Sequence, residues 1–291
     1  MSAVTTDAPL STLDSVVQPI ELSLVEGRAV ERRGSVLPHV TRSEWTKLRS
    51  VPSSLWTLFA TFVVTVGFGA LFCWAYVNEY DKLTIIEHLT FNPTARSLGG
   101  LFLSQLSIGV VGVLVVSSEY DGGRIRTTLI AVPQRRTVLL AKAIVFGAVA
   151  LLVSMVSVFV AFIVGQAILH GRHQGVSLGD PHVVRSLLGA AAYLTIIGLL
   201  GLGIAMILRR TAGAIATLAS LVLVLPLLAA MLPGPWSQDI AKYLPSELGQ
   251  SLFSDNLEPN LLSAGNALAV AGVWIIVVYA IAMILITRRD A

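Results

Sequence analysis

Few side chains in this 291-residue chain have the chemistry to act on anything, and they are grouped. The richest stretch is 117–142, Ser-Ser-Glu-Tyr-Asp-Gly-Gly-Arg-Ile-Arg-Thr-Thr-Leu-Ile-Ala-Val-Pro-Gln-Arg-Arg-Thr-Val-Leu-Leu-Ala-Lys. Glu119 sits near its start, and Gly122-Gly123 permits a sharp turn. Arg124 to Val132 can form one short helix, stopped before Pro133. Ile125 and Leu129 are spaced i, i+4 on it, with Arg124, Arg126, Thr127 and Thr128 around them. The chemistry on offer is docking: an apolar knob with a cationic rim for a cytosolic partner. On periodicity alone, the same stretch reads as a generic basic loop.

A second group is Glu44, Trp45, Lys47 and Arg49. Trp45, Leu48 and Val51/Pro52 share one helical face in 41–52, and the charges occupy the rest. Trp with Lys and Arg suits a helix lying in the plane of a membrane interface. Pro52 would end it, and Ser53 or Ser54 would cap the first long apolar helix. A third group, Ser104, Gln105 and Ser107, lies inside an apolar run. Ser154, Ser157 and Gln166 lie in another, and Asn266 near the outer end of a later one. Hydrogen bonding between helices is the plain role for such residues. Ser104, Gln105 and Ser107 are also the candidate substrate path.

Catalytic chemistry is not encoded. The sequence contains no Gly-x-x-x-x-Gly-Lys-[Ser/Thr] phosphate loop. Its nearest glycine cluster, Gly198-x-x-Gly201-x-Gly203, is apolar and lacks a lysine, so it reads as small residues for close helix approach. His170 and His173 flank Gly171-Arg172 without Cys or carboxylate at ligand spacing, so no metal site is expected. No nucleophile elbow occurs. The single cysteine, Cys73, reads as packing.

The elements carrying these groups are long apolar runs, near 55–77, 98–118, 138–169, 183–208, 211–232 and 263–287. About 20 apolar residues span a hydrocarbon core of ~30 Å. The composition agrees: 55% hydrophobic and 13% charged, against about 25% charged in a soluble domain. The chain is therefore read as all-α, with six transmembrane helices. The third run, at roughly 48 Å, exceeds the membrane, so its first turns, with Arg136 and Lys142, are expected to project into the cytosol. Only Arg209-Arg210-Thr211 joins the fourth and fifth runs, which makes them antiparallel neighbours.

Lys and Arg fall alternately by segment, 15 on one side and 5 on the other. The positive-inside rule then puts both termini in the cytoplasm. The net charge of +3 follows from this bias and is no sign of nucleic-acid binding. Residues 1–40 read as a weakly ordered cytoplasmic tail. About 40 mostly polar residues before the first run suit an uncleaved anchor better than a cleaved signal. In the 233–262 loop, Ile240–Pro245 and Leu248–Phe253 are either short helices dipping into the outer leaflet or parts of an ordinary external loop.

The ordered motifs resemble the permease subunits of type-2 ABC exporters, particularly the actinobacterial six-span kind. They are Glu44-x-x-Lys47-Leu48-Arg49-Ser50, then Glu119-Tyr120-x-x-Gly123-x-Ile125-Arg126-Thr127-x-Leu129 with Pro133-x-x-Arg136 and Ala141-Lys142, and later Tyr243-Leu244-Pro245-Ser246. The resemblance covers roughly 41–287. It implies an elbow helix at 41–52 (Glu44, Trp45, Lys47, Arg49) and a coupling loop at 119–136. Glu119, Arg124, Ile125, Arg126, Thr127 and Leu129 would rest on an ATP-hydrolysing subunit. It also implies two cytosolic ATPases holding ATP and Mg2+, a second permease copy or paralogue, surrounding membrane lipids, and a bacterial cytoplasmic membrane. The chain itself would bind no cofactor and would move a hydrophobic or amphipathic substrate outward. The rivals are a secondary carrier, which would need coupling charges inside the runs, and a non-transporting immunity or sensory protein.

Overall fold

The computed structural model describes residues 36–50, 52–82, 84–121, 135–171, 174–234, 236–254 and 261–288. The segment Arg124–Leu129, the tail up to residue 35, and His173 lie outside the described residues. The described residues are helical, with no strand among them. In chain order they form α1 (Val36–Ser50), α2 (Pro52–Glu79), α3 (Ile85–Leu89), α4 (Pro93–Ser97), α5 (Leu101–Asp121), α6 (Arg135–His170), α7 (Val183–Leu208), α8 (Thr211–Ala219), α9 (Leu225–Ala230), α10 (Trp236–Ala241), α11 (Pro245–Phe253) and α12 (Ala264–Arg288).

Among the described residues, six helical spans are long and apolar enough to cross a membrane: α2, α5, α6, α7, α8–α9 and α12. Their burial sorts them. In the apolar stretches of α5 and α7, 61% and 67% of residues are buried inside the chain's own fold, against 22–33% in the other four. The centre of the molecule is therefore the α5–α7 crossing, with the rest arrayed around it.

Glycine makes that crossing close. A Cβ on Gly112 would lie 2.1 Å from the Gly198 carbonyl oxygen, and one on Gly201 would lie 2.3 Å from that of Gly109. The two backbones touch, as small-residue helix pairs do in lipid. Gly203 serves the next interface, where a Cβ would meet Val278 of α12 at 2.5 Å.

Several expectations need adjusting. α1 begins at Val36, five residues before Thr41, because Leu37 and Val40 pack against Val138 and Ala141 of α6. Pro52 is the first residue of α2, where a missing N–H costs nothing, so Ser53 and Ser54 lie inside the helix instead of capping it. The fifth span is interrupted: a π-helical turn, Ser220–Val224, joins α8 to α9. Pro226 lies just beyond it; its ring crowds the carbonyl one turn back, and the Leu225 N–H reaches back to the Ser220 carbonyl.

In the long loop, Pro245 opens α11 instead of closing the helix before it. Leu248 and Leu252 of α11 are buried, Gly249 lies against the Tyr193 ring, and Trp274 Nε1 donates to the Tyr243 carbonyl at 3.0 Å. This helix is thus packed between α7 and α12, while α10 buries no residue.

Candidate functional site: a charge cluster at the base of the loop

Lys142 corrects the expectation that the start of the third span projects outward. Arg136 is exposed, but Lys142, two turns further on, is only 3% exposed. A buried ammonium needs a negative partner to remain charged. Two carboxylates meet it. Lys142 Nζ donates to Glu44 Oε2 at 2.6 Å and to Glu119 Oε1 at 2.8 Å. Lys47 closes the group from its rim, with Nζ 2.6 Å from Glu44 Oε1 and 3.5 Å from Glu119 Oε1. Two acids and two bases sum to zero charge, as a site with little water requires.

Three elements supply the four members. Glu44 and Lys47 sit on α1, Glu119 on the last turn of α5, and Lys142 on the third turn of α6. Along α1, Leu37, Val40, Glu44 and Leu48 recur every three or four residues and form the inward face. The buried face of the elbow therefore contains an acid, while Trp45 remains 52% exposed. Burial pushes the Glu44 carboxyl upward. The Lys142 charge and hydrogen bond, followed by those of Lys47, outweigh this and hold it below its ordinary value. The other oxygen of Glu119, Oε2, is buried and has no hydrogen-bond partner among the described residues.

A second tie lies beside the first. Arg209, at the turn between α7 and α8, adopts a left-handed conformation with φ 56°. Its guanidinium lies 5.5 Å from the ring centroid of Tyr120, the residue after Glu119. Both ends of the 122–134 segment are thus fastened: Glu119 and Tyr120 before it to α1, α6 and the α7–α8 turn, and Lys142 after it to α1. Sequence reasoning named Glu44, Lys47 and Glu119 but not their partnership with Lys142, and it missed the Tyr120–Arg209 contact. The available signal was a lysine inside an apolar run.

Of the other predicted site residues, Arg49 is exposed on α1. Ser104, Gln105 and Ser107 are engaged within the chain. Thr65 Oγ1 donates to Ser104 Oγ at 2.7 Å, and Ser107 Oγ lies 2.8 Å from Thr61 Oγ1. The Gln105 side-chain oxygen accepts from the Tyr193 hydroxyl. These bonds join α5 to α2 and α7. Gln166 does the same for α6, donating to Ser97 Oγ at 3.0 Å and accepting from the Val176 N–H at 2.7 Å. Ser157 instead bonds its own helix at Val153, and Asn266 is exposed.

A sequence model of the family described as ABC-2 family transporter protein matches residues 41–226, from the elbow through the π turn of the fifth span. No curated protein matches the chain. The matched region contains all four members of the charge cluster and most of the membrane-spanning part, and on that extent this multi-pass membrane protein belongs to the ABC-2 transporter family, consistent with an ABC-2 permease.

Proposed function

We propose that the chain is the permease subunit of an ATP-driven exporter, pairing with a second permease copy or paralogue and two cytosolic ATPases that hold ATP and Mg2+. The substrate is hydrophobic or amphipathic and moves outward across a bacterial cytoplasmic membrane. The single observation behind the mechanism is the clamp formed by Glu44, Glu119 and Lys142 around both ends of the 122–134 segment. In this reading the segment carries the coupling helix, with Ile125 and Leu129 in a groove on the ATPase and Arg124 and Arg126 at its rim. A push on the loop reaches α5 and α6 together with the elbow, because a buried ionic group does not slide apart cheaply. The whole cytoplasmic end then moves as one piece, and the α5–α7 centre transmits the displacement outward. Hydrogen bonding within the protomer favours the packing role for Ser104, Gln105 and Ser107.

The test is reconstitution with the ATPase. The chain alone should hydrolyse no ATP, and the complex should hydrolyse it and export. Burying an Ile or Leu contributes roughly 1.5–3 kcal/mol, and 1.4 kcal/mol is about tenfold in affinity. Ile125→Asp with Leu129→Asp should therefore release the ATPase or uncouple export while insertion is normal. Retained ATPase binding and export in that variant would reject the coupling surface.

A further inference from the structure

At the end of α2 remote from the charge cluster, a cleft of about 470 Å³ opens beside α3 and α4. Phe72, Tyr76, Glu87, Phe91, Asn92 and Arg96 are among its lining residues. Its wall is aromatic: the Tyr76 and Phe91 rings stack in parallel, 3.8 Å apart. The Arg96 guanidinium lies 5.6 Å from the Tyr76 ring centroid and makes no ion pair among the described residues. The Tyr76 hydroxyl is buried without a hydrogen-bond partner among the described residues.

Glu87 adds the opposite charge. Its Oε2 accepts from the Thr84 N–H at 2.7 Å and from the Thr84 hydroxyl at 2.8 Å, which fixes the carboxylate at the start of α3. Those bonds also hold the carboxyl below its ordinary range, so it is ionised at neutral pH. Ile85 and Ile86, next to Glu87 on the same short helix but outside the cleft's lining, are 79% and 72% exposed, an apolar surface that suits acyl chains. The cleft thus offers one cation, one carboxylate and an aromatic wall, with an exposed apolar surface on the helix beside it. A ligand of matching chemistry carries a phosphate, a hydrogen-bonding ammonium and a hydrocarbon tail.

We infer that this cleft seats the headgroup of a phosphoethanolamine lipid, with the phosphate on Arg96 and the primary ammonium on Glu87. A choline headgroup lacks N–H donors for the carboxylate, and a purely anionic headgroup meets Glu87 as a like charge. The cleft size lies within the range of small-molecule sites. The inference is independent of the direction of transport, because the cleft lies at one end of the spans whichever way the chain is oriented.

The test is native mass spectrometry of the detergent-solubilised full chain titrated with dioctanoyl phosphatidylethanolamine, phosphatidylcholine and phosphatidylglycerol, and with free phosphoethanolamine. The ethanolamine lipid should bind saturably and about tenfold more tightly than the other two lipids. Loss of one charge-assisted contact is worth about tenfold, so Arg96→Gln should weaken it by that factor. Glu87→Gln, which retains the Thr84 capping box because Gln serves there too, should reduce the ethanolamine lipid to the level of the choline lipid. Equal affinity of the wild-type chain for all three lipids overturns the proposal without recourse to either variant. So does unchanged affinity in both variants. Free phosphoethanolamine binding as tightly as the lipid would also overturn it, in favour of a soluble ligand.

Discussion

Lys142 shows how one side chain can organise a region. Its ammonium is balanced by Glu44 and Glu119, and removing it leaves two buried carboxylates with only the half-exposed Lys47 at their rim. Lys142→Met should therefore destabilise the protein by about 3–5 kcal/mol, read by denaturation in detergent. The combined change Glu44→Gln, Glu119→Gln, Lys142→Met leaves no buried charge and should recover most of that loss; equal stability of the two variants would show the pairing to be incidental. The acid limit follows from the direction of the Glu44 shift. A carboxyl held below its ordinary value of 4.5 contributes stability above that value and loses it as pH falls through the lower folded value. The melting temperature of the purified chain should thus be flat from pH 8 to about 5, and drop only below the ordinary carboxylate range. A drop centred near pH 6 would contradict this. The cluster was half legible. Glu44 and Lys47 stood out as charges on an amphipathic helix, but a face drawn through Trp45, Leu48 and Val51/Pro52 alone leaves Glu44 on the polar side. Only the third span, 98 residues away, supplies the partner that turns it inward.

Apolar length is what made the helices readable: all six spans appear near their expected bounds, as does the tight Arg209-Arg210 turn. The break inside the fifth was not readable, because hydropathy is blind to backbone geometry and passes over Pro226. Short helices were the harder case. Whether α11 lies in lipid or packs inside the protomer depends on Gly249 meeting Tyr193 and on Leu248 and Leu252 meeting α7 and α12, contacts that no local pattern contains. The glycine cluster, by contrast, was read correctly as a close-approach surface. Gly112→Val should separate the α5–α7 pair at a cost of about 1–3 kcal/mol, seen as a lower melting temperature. Gly67→Val, with no neighbour near its Cβ position, should be close to neutral. Equal effects from the two would remove the crossing from its central place.

For the molecule as a whole, the Lys and Arg split predicts which end faces the cytosol. In a Cys73→Ala background, Ile125→Cys should be labelled only from the cytoplasmic side, and Gly175→Cys and Gln238→Cys only from outside. Labelling of position 125 in intact cells would invert the reading. The charge cluster also bears on biogenesis. A ribosome delivers residues in order, so Glu44, the rim base Lys47 and Glu119 all emerge before the buried base, Lys142. Lys142 then arrives in a span that would otherwise bring an uncompensated ammonium toward lipid. Completion of the third span is therefore predicted to act as a checkpoint in synthesis, at which residues 36–170 lock to the elbow before the later spans exist. A chain ending at His170 is accordingly expected to resist protease in membranes, and the same fragment with Lys142→Met to be cleared; equal lifetimes would show that the lock forms only in the finished protein.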